Sequence, residues 1–557
     1  MPKRLQSMVC LFWMTLVLVS CGIRPSINDR PSLEAYNSEA PVVIEVNDST
    51  RLSGNNFLVK NQYGLWELYV EGDPLERGLA TGSLTEALIQ KQEAAFFGKV
   101  KELVPSEGQQ KFLKKFLAWY NRKMYQHIPN EYKAEIYGVS QFAASTYDDI
   151  APPYLRSLYL HGAHDIGHAL QDLALVGCSA FAVWGDKTED GQLLIGRNFD
   201  FYAGDEFAEE KIIAFVNPDN GHGFMSVTWG GMVGVVSGMN TEGLTVTINA
   251  GKSKVPLTAK TPISIVARDI LQYASTISEA EAIAKKYEVF VSEAIFVGSA
   301  TEKRAAIIEV SPNNFGVYEV ANTSQLICSN HFQSDAFSED KRNLKTIEES
   351  HSAYRFERME ELISEEKKIA VSEAVSILRN RKGLDDVILG NGNEKALNQL
   401  LAHHGIVFKP EERQVWISTN PYQLGAFVAY DLDEVFSGRD QNPPIFSVSL
   451  PSKLVPADPF LKTEEYQNYE AYRLVERRVE AALEADVLVS ATILQQLTTL
   501  NPKYWKAFFL AGTYYYEQQM YAEAQKHFQR AITLIIPSVP EREEVLKYLR
   551  KTKRKLS

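Results

Sequence analysis

The chain has 557 residues, 45% of them hydrophobic and 23% charged, which is the balance of a folded protein. Its formal net charge of −12 argues against a nucleic-acid partner, which would call for a basic face. The length implies more than one domain, and four cysteines in a chain of this size do not make a disulfide framework.

Residues 1–21 read as an export signal. Lys3 and Arg4 precede an apolar run from Met8 to Val19, shorter than the roughly 20 residues that span a bilayer. The run ends Leu18-Val19-Ser20-Cys21-Gly22, which resembles a bacterial lipobox with cleavage before Cys21 and lipidation of its thiol. An ordinary secretory signal with an incidental cysteine is the alternative. Gly22 rather than Asp at the next position implies a cell-envelope lipoprotein at the outer membrane, facing the periplasm. Residues 22–45 are polar and carry Pro25, Pro31 and Pro41, the composition of a tether. Cys10 leaves with the signal, so only Cys178 and Cys328 remain in the exported body. A bridge between those two would consume the nucleophile suggested below, and Cys328 reads as a buried strand residue.

Residues 46–177 form a pre-segment. A hairpin is expected over 54–72 around Asn61-Gln62-Tyr63-Gly64, followed by helical periodicity from 74 to about 172. Gly177-Cys178 then opens a strand pattern, Cys178 to Trp184. An Asp190-Gly191 turn follows, and a second strand ends Gly196-Arg197-Asn198-Phe199-Asp200. Pairing these strands brings Arg197 and Asp200 back beside Cys178. Strand patterns continue to about 255; helices follow near 261–273 and 278–287. Strands return at 292–298, 304–310, 315–320 and 325–329, then helices at 340–364 and 370–379. A last strand set runs from about 405 to 450. This order predicts an α+β fold over 178–455, two antiparallel sheets face to face with helices on both outer faces. Residues 464–557 are helical. Phe508, Ala511, Gly512, Tyr515, Ala524, Phe528 and Ala531 stand at the packing positions of a tetratricopeptide repeat, with Pro537 at its end. Such a tail is either a peptide-binding groove with a protein partner or a helical cap on the catalytic domain, with 466–500 supplying partner helices.

Four stretches, in order, resemble the cysteine N-terminal-nucleophile amidohydrolases, and most closely their penicillin acyltransferase-like branch, related to penicillin V acylases and bile salt hydrolases. They are Glu71-Gly72-Asp73-Pro74-Leu75-Glu76-Arg77-Gly78 with Gly82; Gly177-Cys178-Ser179 with Gly196 to Asp200; Trp229 through Gly238-Met239-Asn240 and Gly243-Leu244 to Asn249; and Ser329-Asn330-His331-Phe332. The resemblance covers roughly residues 65–450 and implies a four-layer αββα sandwich.

It also implies cleavage between Gly177 and Cys178, leaving residues 46–177 as a small subunit held by packing. A freed α-amine, with an ordinary pKa around 7.7–8.0, would serve as the base for the Cys178 thiol. Asp200 would hold that amine, and Arg197 would lower the thiol pKa. By resemblance the oxyanion donors are the side-chain amide of Asn330 and the backbone N–H of Asn249. The plain alternatives are a buried apolar Cys178, a structural Arg197–Asp200 ion pair, a strand-end Asn249 and a capping Asn330. Tyr202, Phe207 and Trp229 are expected as pocket walls for an acyl chain or ring, though such residues are more often core. His331 is tempting as a base, but the α-amine fills that role; His403 and His404 read as structural. Bile salt hydrolases place a further arginine near the site, for which Arg355 and Arg358 are the candidates. No metal-ligand spacing and no cofactor motif occur. The function expected is amide hydrolysis of an N-acyl small molecule. Acyl transfer to another amine is the alternative within the enzyme class, and a non-catalytic lipoprotein acting through its tail the alternative outside it.

Overall fold

The computed structural model describes residues 22–162, 165, 176–202, 204–252, 258–437 and 446–557. Residues 1–21, where an export signal and the lipidated Cys21 are expected, lie outside the described residues. Four strands open the fold, β1 (Ile44–Asn47), β2 (Thr50–Ser53), β3 (Asn56–Lys60) and β4 (Trp66–Gly72). The central hairpin pairs β5 (Val176–Val183) with β6 (Leu194–Phe201). Then come β7 (Ile212–Pro218), β8 (Phe224–Thr228), β9 (Ser237–Asn240), β10 (Leu244–Ala250), β11 (Glu293–Ser299), β12 (Arg304–Val310), β13 (Phe315–Tyr318) and β14 (Gln325–Cys328). The last strands are β15 (His404–Lys409), β16 (Gln414–Ser418) and β17 (Phe427–Asp431). They form an eleven-stranded sheet, β1-β2-β3-β4-β7-β8-β9-β10-β11-β12-β13, and a six-stranded sheet, β14-β5-β6-β15-β16-β17.

Side-chain alternation builds the layers. Along β5, Ala180 and Ala182 face the apolar layer between the sheets, while Phe181 and Val183 face a layer with Met359, Ile363, Val375 and Leu378 of helices Ser352–Glu365 and Val371–Leu378. Along β7, Ile213 and Phe215 enter the inter-sheet layer, and Ile212, Ala214 and Val216 pack on the opposite side with helices such as Ile263–Tyr273. The result is helix, sheet, sheet, helix. One feature departs from the expected all-antiparallel pairing: β4 runs parallel to β7 over seven residue pairs, Trp66↔Ile212 to Gly72↔Pro218.

That parallel ladder sews the pre-segment into the large sheet. Helix Pro74–Leu103 adds a second attachment. Gly78 and Gly138 let this helix meet helix Asn130–Ser140 at backbone contact, since a Cβ on Gly78 would lie 2.2 Å from the Glu135 carbonyl oxygen. Beside them, Glu135 takes Arg77 at 2.8 Å and Arg268 of helix Ile263–Tyr273 at 3.1 Å, all three buried. Residues 22–45 differ from the expected free tether. Ser32 and Asn130 exchange two hydrogen bonds of 2.9 Å, and Asp29 accepts from Tyr154 Oη at 3.2 Å. Residues 22–28, Pro25 included, are helical, residues 29–43 form neither helix nor strand, and polar groups of this stretch find partners on the pre-segment helices.

The tail comprises helices Glu464–Glu484, Ala491–Leu500, Trp505–Glu517, Tyr521–Ile532 and Val539–Leu556. Gly512 admits Phe528, whose ring would lie 2.7 Å from a Cβ there, and Ala511, Ala524 and Ala531 are buried alongside. The tail packs on Leu400 and Leu424 of the body, and Asn501 Nδ2 donates to the Asn391 carbonyl at 2.7 Å. Arg477 meets Asp205 at 2.7 Å, with Arg473 on the same carboxylate.

Burial alone would push the Glu135 carboxyl up, but Arg268 and Arg77 outweigh it and hold it below the usual carboxylate range. Its contribution to stability is therefore present above the unfolded-state pKa and lost as pH falls through the depressed folded value. Glu135→Ala leaves two buried guanidinium groups uncompensated and should cost about 3–5 kcal/mol in chemical denaturation. A loss below about 1 kcal/mol would mean that the two arginines are already balanced by other groups.

Candidate functional site

The register Cys178↔Phe199 and Ala180↔Arg197 puts these four residues on the face of β5–β6 that looks toward the large sheet. Gly177↔Asp200 and Ser179↔Asn198 fall on the other face, toward the outer helices. The site straddles the small sheet.

On the inner face, Arg197 Nη2 donates to Cys178 Sγ at 3.8 Å and to the Ile248 carbonyl at 2.6 Å. Its Nη1 donates to Ser237 Oγ at 2.6 Å, and the guanidinium lies 4.3 Å from the Phe199 ring centre. Burial pushes the Cys178 thiol up, and Arg197 is the largest influence pulling it down. Cys178 and Cys328, the two cysteines among the described residues, are free thiols, and Cys328 is the buried strand residue expected, opposite Ala180.

Around the backbone of Cys178, its N–H donates to Asn330 Oδ1 at 2.9 Å, and Asn330 Nδ2 donates to the Ala250 carbonyl at 3.0 Å. Arg355 holds this corner. Its Nη1 donates to the Cys178 carbonyl at 2.6 Å and to Ser179 Oγ at 2.7 Å, and its Nη2 to Asn330 Oδ1 at 2.6 Å. Arg358, one turn on, instead pairs with Glu361 and Asp386. Between the two candidates, only Arg355 touches the site. Ser352 lies outside every sequence-based expectation; its Oγ accepts from the Asn330 N–H at 2.8 Å and lies 2.8 Å from His331 Nδ1. His331 itself is pushed down to about 4 by burial and by Arg355.

Asp200 sits opposite Gly177, fully buried, and neither carboxylate oxygen has a hydrogen-bond partner among the described residues. The expected plain alternative, an Arg197–Asp200 ion pair, is not formed. Burial pushes the Asp200 carboxyl up to about 8, against the pull of Arg355 and Arg197. Gly177 is constrained as well, since a Cβ there would lie 2.4 Å from Gln399 Nε2. Asn249 is buried in β10, with Nδ2 at 3.5 Å from the Cys328 carbonyl and Oδ1 without a partner among the described residues.

Of the expected pocket walls, Phe207 and Trp229 come together with ring centres 5.1 Å apart, and both contact His403, at 5.7 and 5.4 Å. Phe201 and Phe199 continue this apolar surface back to the strand that pairs with Cys178. Tyr202 turns away: its Oη donates to Asp205 at 3.0 Å, where the tail arginines also bind. Cys178 is 1% exposed in the unbroken chain. Among the described residues, no cluster of His, Cys, Asp or Glu could hold a metal ion.

Residues 187–421 match the family model of acyl-coenzyme A:6-aminopenicillanic acid acyl-transferase. Arg197, Asp200, Asn249, Asn330, Arg355 and His403 lie inside that stretch; Cys178 lies nine residues before it. An uncharacterized protein of Archaeoglobus fulgidus is 31% identical over 278 residues, 46% of this chain and 45% of that protein. The chain thus spans less than half the length of that curated relative. Two solved structures also align. An N-acylethanolamine-hydrolyzing acid amidase ortholog of Caenorhabditis elegans is 17% identical, covering 42% of this chain and 93% of that one, with a TM-score of 0.30. A mutant conjugated bile acid hydrolase from Clostridium perfringens is 14% identical, covering 48% and 94%, with a TM-score of 0.31.

Arg197→Leu removes the charge nearest the thiol, so the pH midpoint for alkylation of Cys178 by iodoacetamide should move upward. An unchanged midpoint would show that Arg197 does not set the thiolate population.

Proposed function

We propose that the chain is an autoprocessed amidohydrolase that cleaves N-acyl small molecules through a thioester on Cys178. The observation that carries this reading is the buried Asp200 carboxylate, unbonded and directly across the ladder from Gly177, with Arg197 beside the thiol of the next residue. A buried acid without a partner is costly unless a cation arrives. An α-ammonium released at Cys178 would be that cation.

In processing, Sγ attacks the Gly177 carbonyl carbon, the Gly177–Cys178 C–N bond breaks, and water hydrolyses the resulting thioester. The new α-amine then takes the thiol proton in each turnover. The thiolate attacks the substrate carbonyl, the amine product leaves with a proton, and water releases the acid. Asn330 keeps one N–H beyond its bond to Ala250 for the developing oxyanion, and Arg355 fixes the orientation of that amide. The Asn249 backbone N–H is proposed as the second donor. The description of the matched family favours a second reading, transfer of the acyl group to another amine. The same thioester serves both outcomes, with an amine replacing water in the last step.

Acid quenching during turnover of N-acyl substrates should trap the acyl group on Cys178, as read by peptide mass. Turnover with no adduct on that residue in any quench would overturn the assignment. Asn330→Ala should lower kcat by ~10²–10³ with little change in KM. Near-wild-type kcat at unchanged thermal stability would make Asn330 a capping residue.

A further inference from the structure

Lys211 is 1% exposed, and its ammonium reaches one acceptor, Asn420 Oδ1, with no carboxylate paired to it among the described residues. It directly precedes β7, whose first residue Ile212 is opposite Thr228, so Lys211 falls beside Trp229 at the end of that ladder. Trp229 in turn contacts His403, which is fully buried and has no partner for Nε2 among the described residues. Lys211 and His403 are close enough for the lysine charge to help depress the imidazole, after burial, the larger cause.

Hydrogen-bond bookkeeping fixes what His403 presents at Nε2. Arg197 can only donate, and its Nη1 lies 2.6 Å from Ser237 Oγ and 3.4 Å from His404 Nε2. The serine proton therefore points to His404 Nε2, at 2.9 Å, which acts as an acceptor. His404 then carries its hydrogen on Nδ1 and donates it to His403 Nδ1, 2.9 Å away. His403 must carry its own hydrogen on Nε2. Two buried donors, an ammonium without a counter-charge and an imidazole N–H without an acceptor, thus meet beside Trp229 and Phe207. Burial pushes Lys211 down to about 7, the signature of a cation missing its anion.

We propose that Lys211 and His403 form a binding subsite for a carboxylate on the substrate, at the end of the Phe207–Trp229 wall. This deepens the amidohydrolase reading and rests on it. A carboxylate supplies the acceptor that His403 Nε2 lacks and the charge that Lys211 lacks, whereas a hydrocarbon would leave the imidazole N–H unmet and the ammonium unbalanced. The carboxylate belongs either to the acyl half, as in a dicarboxylic monoamide, or to the amine half, as in an N-acyl amino acid.

The test compares kcat/KM for isosteric pairs on the processed wild-type enzyme: N-phenylacetylglycine with its glycinamide, and glutaric acid mono-benzylamide with its primary amide. One pair should show a preference for the carboxylate, and which pair does so identifies the half that carries it. In Lys211→Met that preference should fall by about tenfold to a hundredfold. His403→Phe should lower it in the same direction while keeping the aromatic contact. A thermal shift by the carboxylate member but not its neutral partner reads binding without turnover. Failure of the hydrolase reading, with no turnover but a shift that depends on Lys211, is thereby told apart from failure of the subsite. No preference in either pair, or equal losses on both members in both variants, would overturn the proposal. Lys211→Met should also raise the melting temperature, since it removes an uncompensated buried charge.

Discussion

The antiparallel register between β5 and β6 is the constraint from which the rest of the site follows. Strict alternation sends Cys178, Phe199 and Arg197 toward the large sheet, and Gly177 and Asp200 toward the helices. A slip of one residue would exchange the faces and part the thiol from its guanidinium. The register itself is held at both edges. β14 pairs Cys328 with Ala180, and β15 pairs His404 with Phe199, so each strand of the hairpin is central in its sheet. The Gly177–Cys178 peptide lies within a strand that has already begun at Val176, inside a ladder that needs no contribution from a free end.

Around this hairpin the molecule gathers buried charge with little direct compensation. Arg197 bonds to a carbonyl, a hydroxyl and the thiol; Arg355 bonds to a carbonyl, a hydroxyl and an amide oxygen; Asp200 bonds to nothing among the described residues. Fully buried guanidinium groups of this kind act through their fields as much as their contacts, since burial weakens screening. The pre-segment handles its charges differently. Arg77, Glu135 and Arg268 form a closed triad, and Gly78 and Gly138 bring two helices to backbone contact beside it. That contrast separates a region whose buried charges balance one another from one whose buried charges have no direct counter-charge among the described residues.

Much of this was legible from residue pattern. The β5–β6 hairpin, the helix–sheet–sheet–helix order and the placement of Arg197 beside Cys178 follow from turn signals and period-two alternation. The triad explains physically why Arg77 stands where it does, and close approach by the Glu135 backbone and the Phe142 ring explains Gly78 and Gly82, although a motif alone says nothing of Glu135 or Arg268 as partners. Other features depend on contacts far apart in sequence. Arg355 and Arg358 share a helix and differ in role because only the first faces Ser179, 176 residues away. Tyr202 sits beside Phe201 in the chain, but its hydroxyl donates to Asp205, a carboxylate that is also bound by tail arginines no local window contains. The pairing of β4 with β7 is parallel, and short-range pattern carries no information on strand direction. His403 reads as an ordinary core histidine until its neighbour's tautomer is worked out from Arg197.

Intact mass spectrometry of the purified protein tests the central claim most directly. The account predicts two chains that copurify, the larger beginning at Cys178, and a single unbroken chain for Cys178→Ala. A wild-type protein that remains one chain and still hydrolyses amides would contradict it, because no α-amine would then exist to serve as the base.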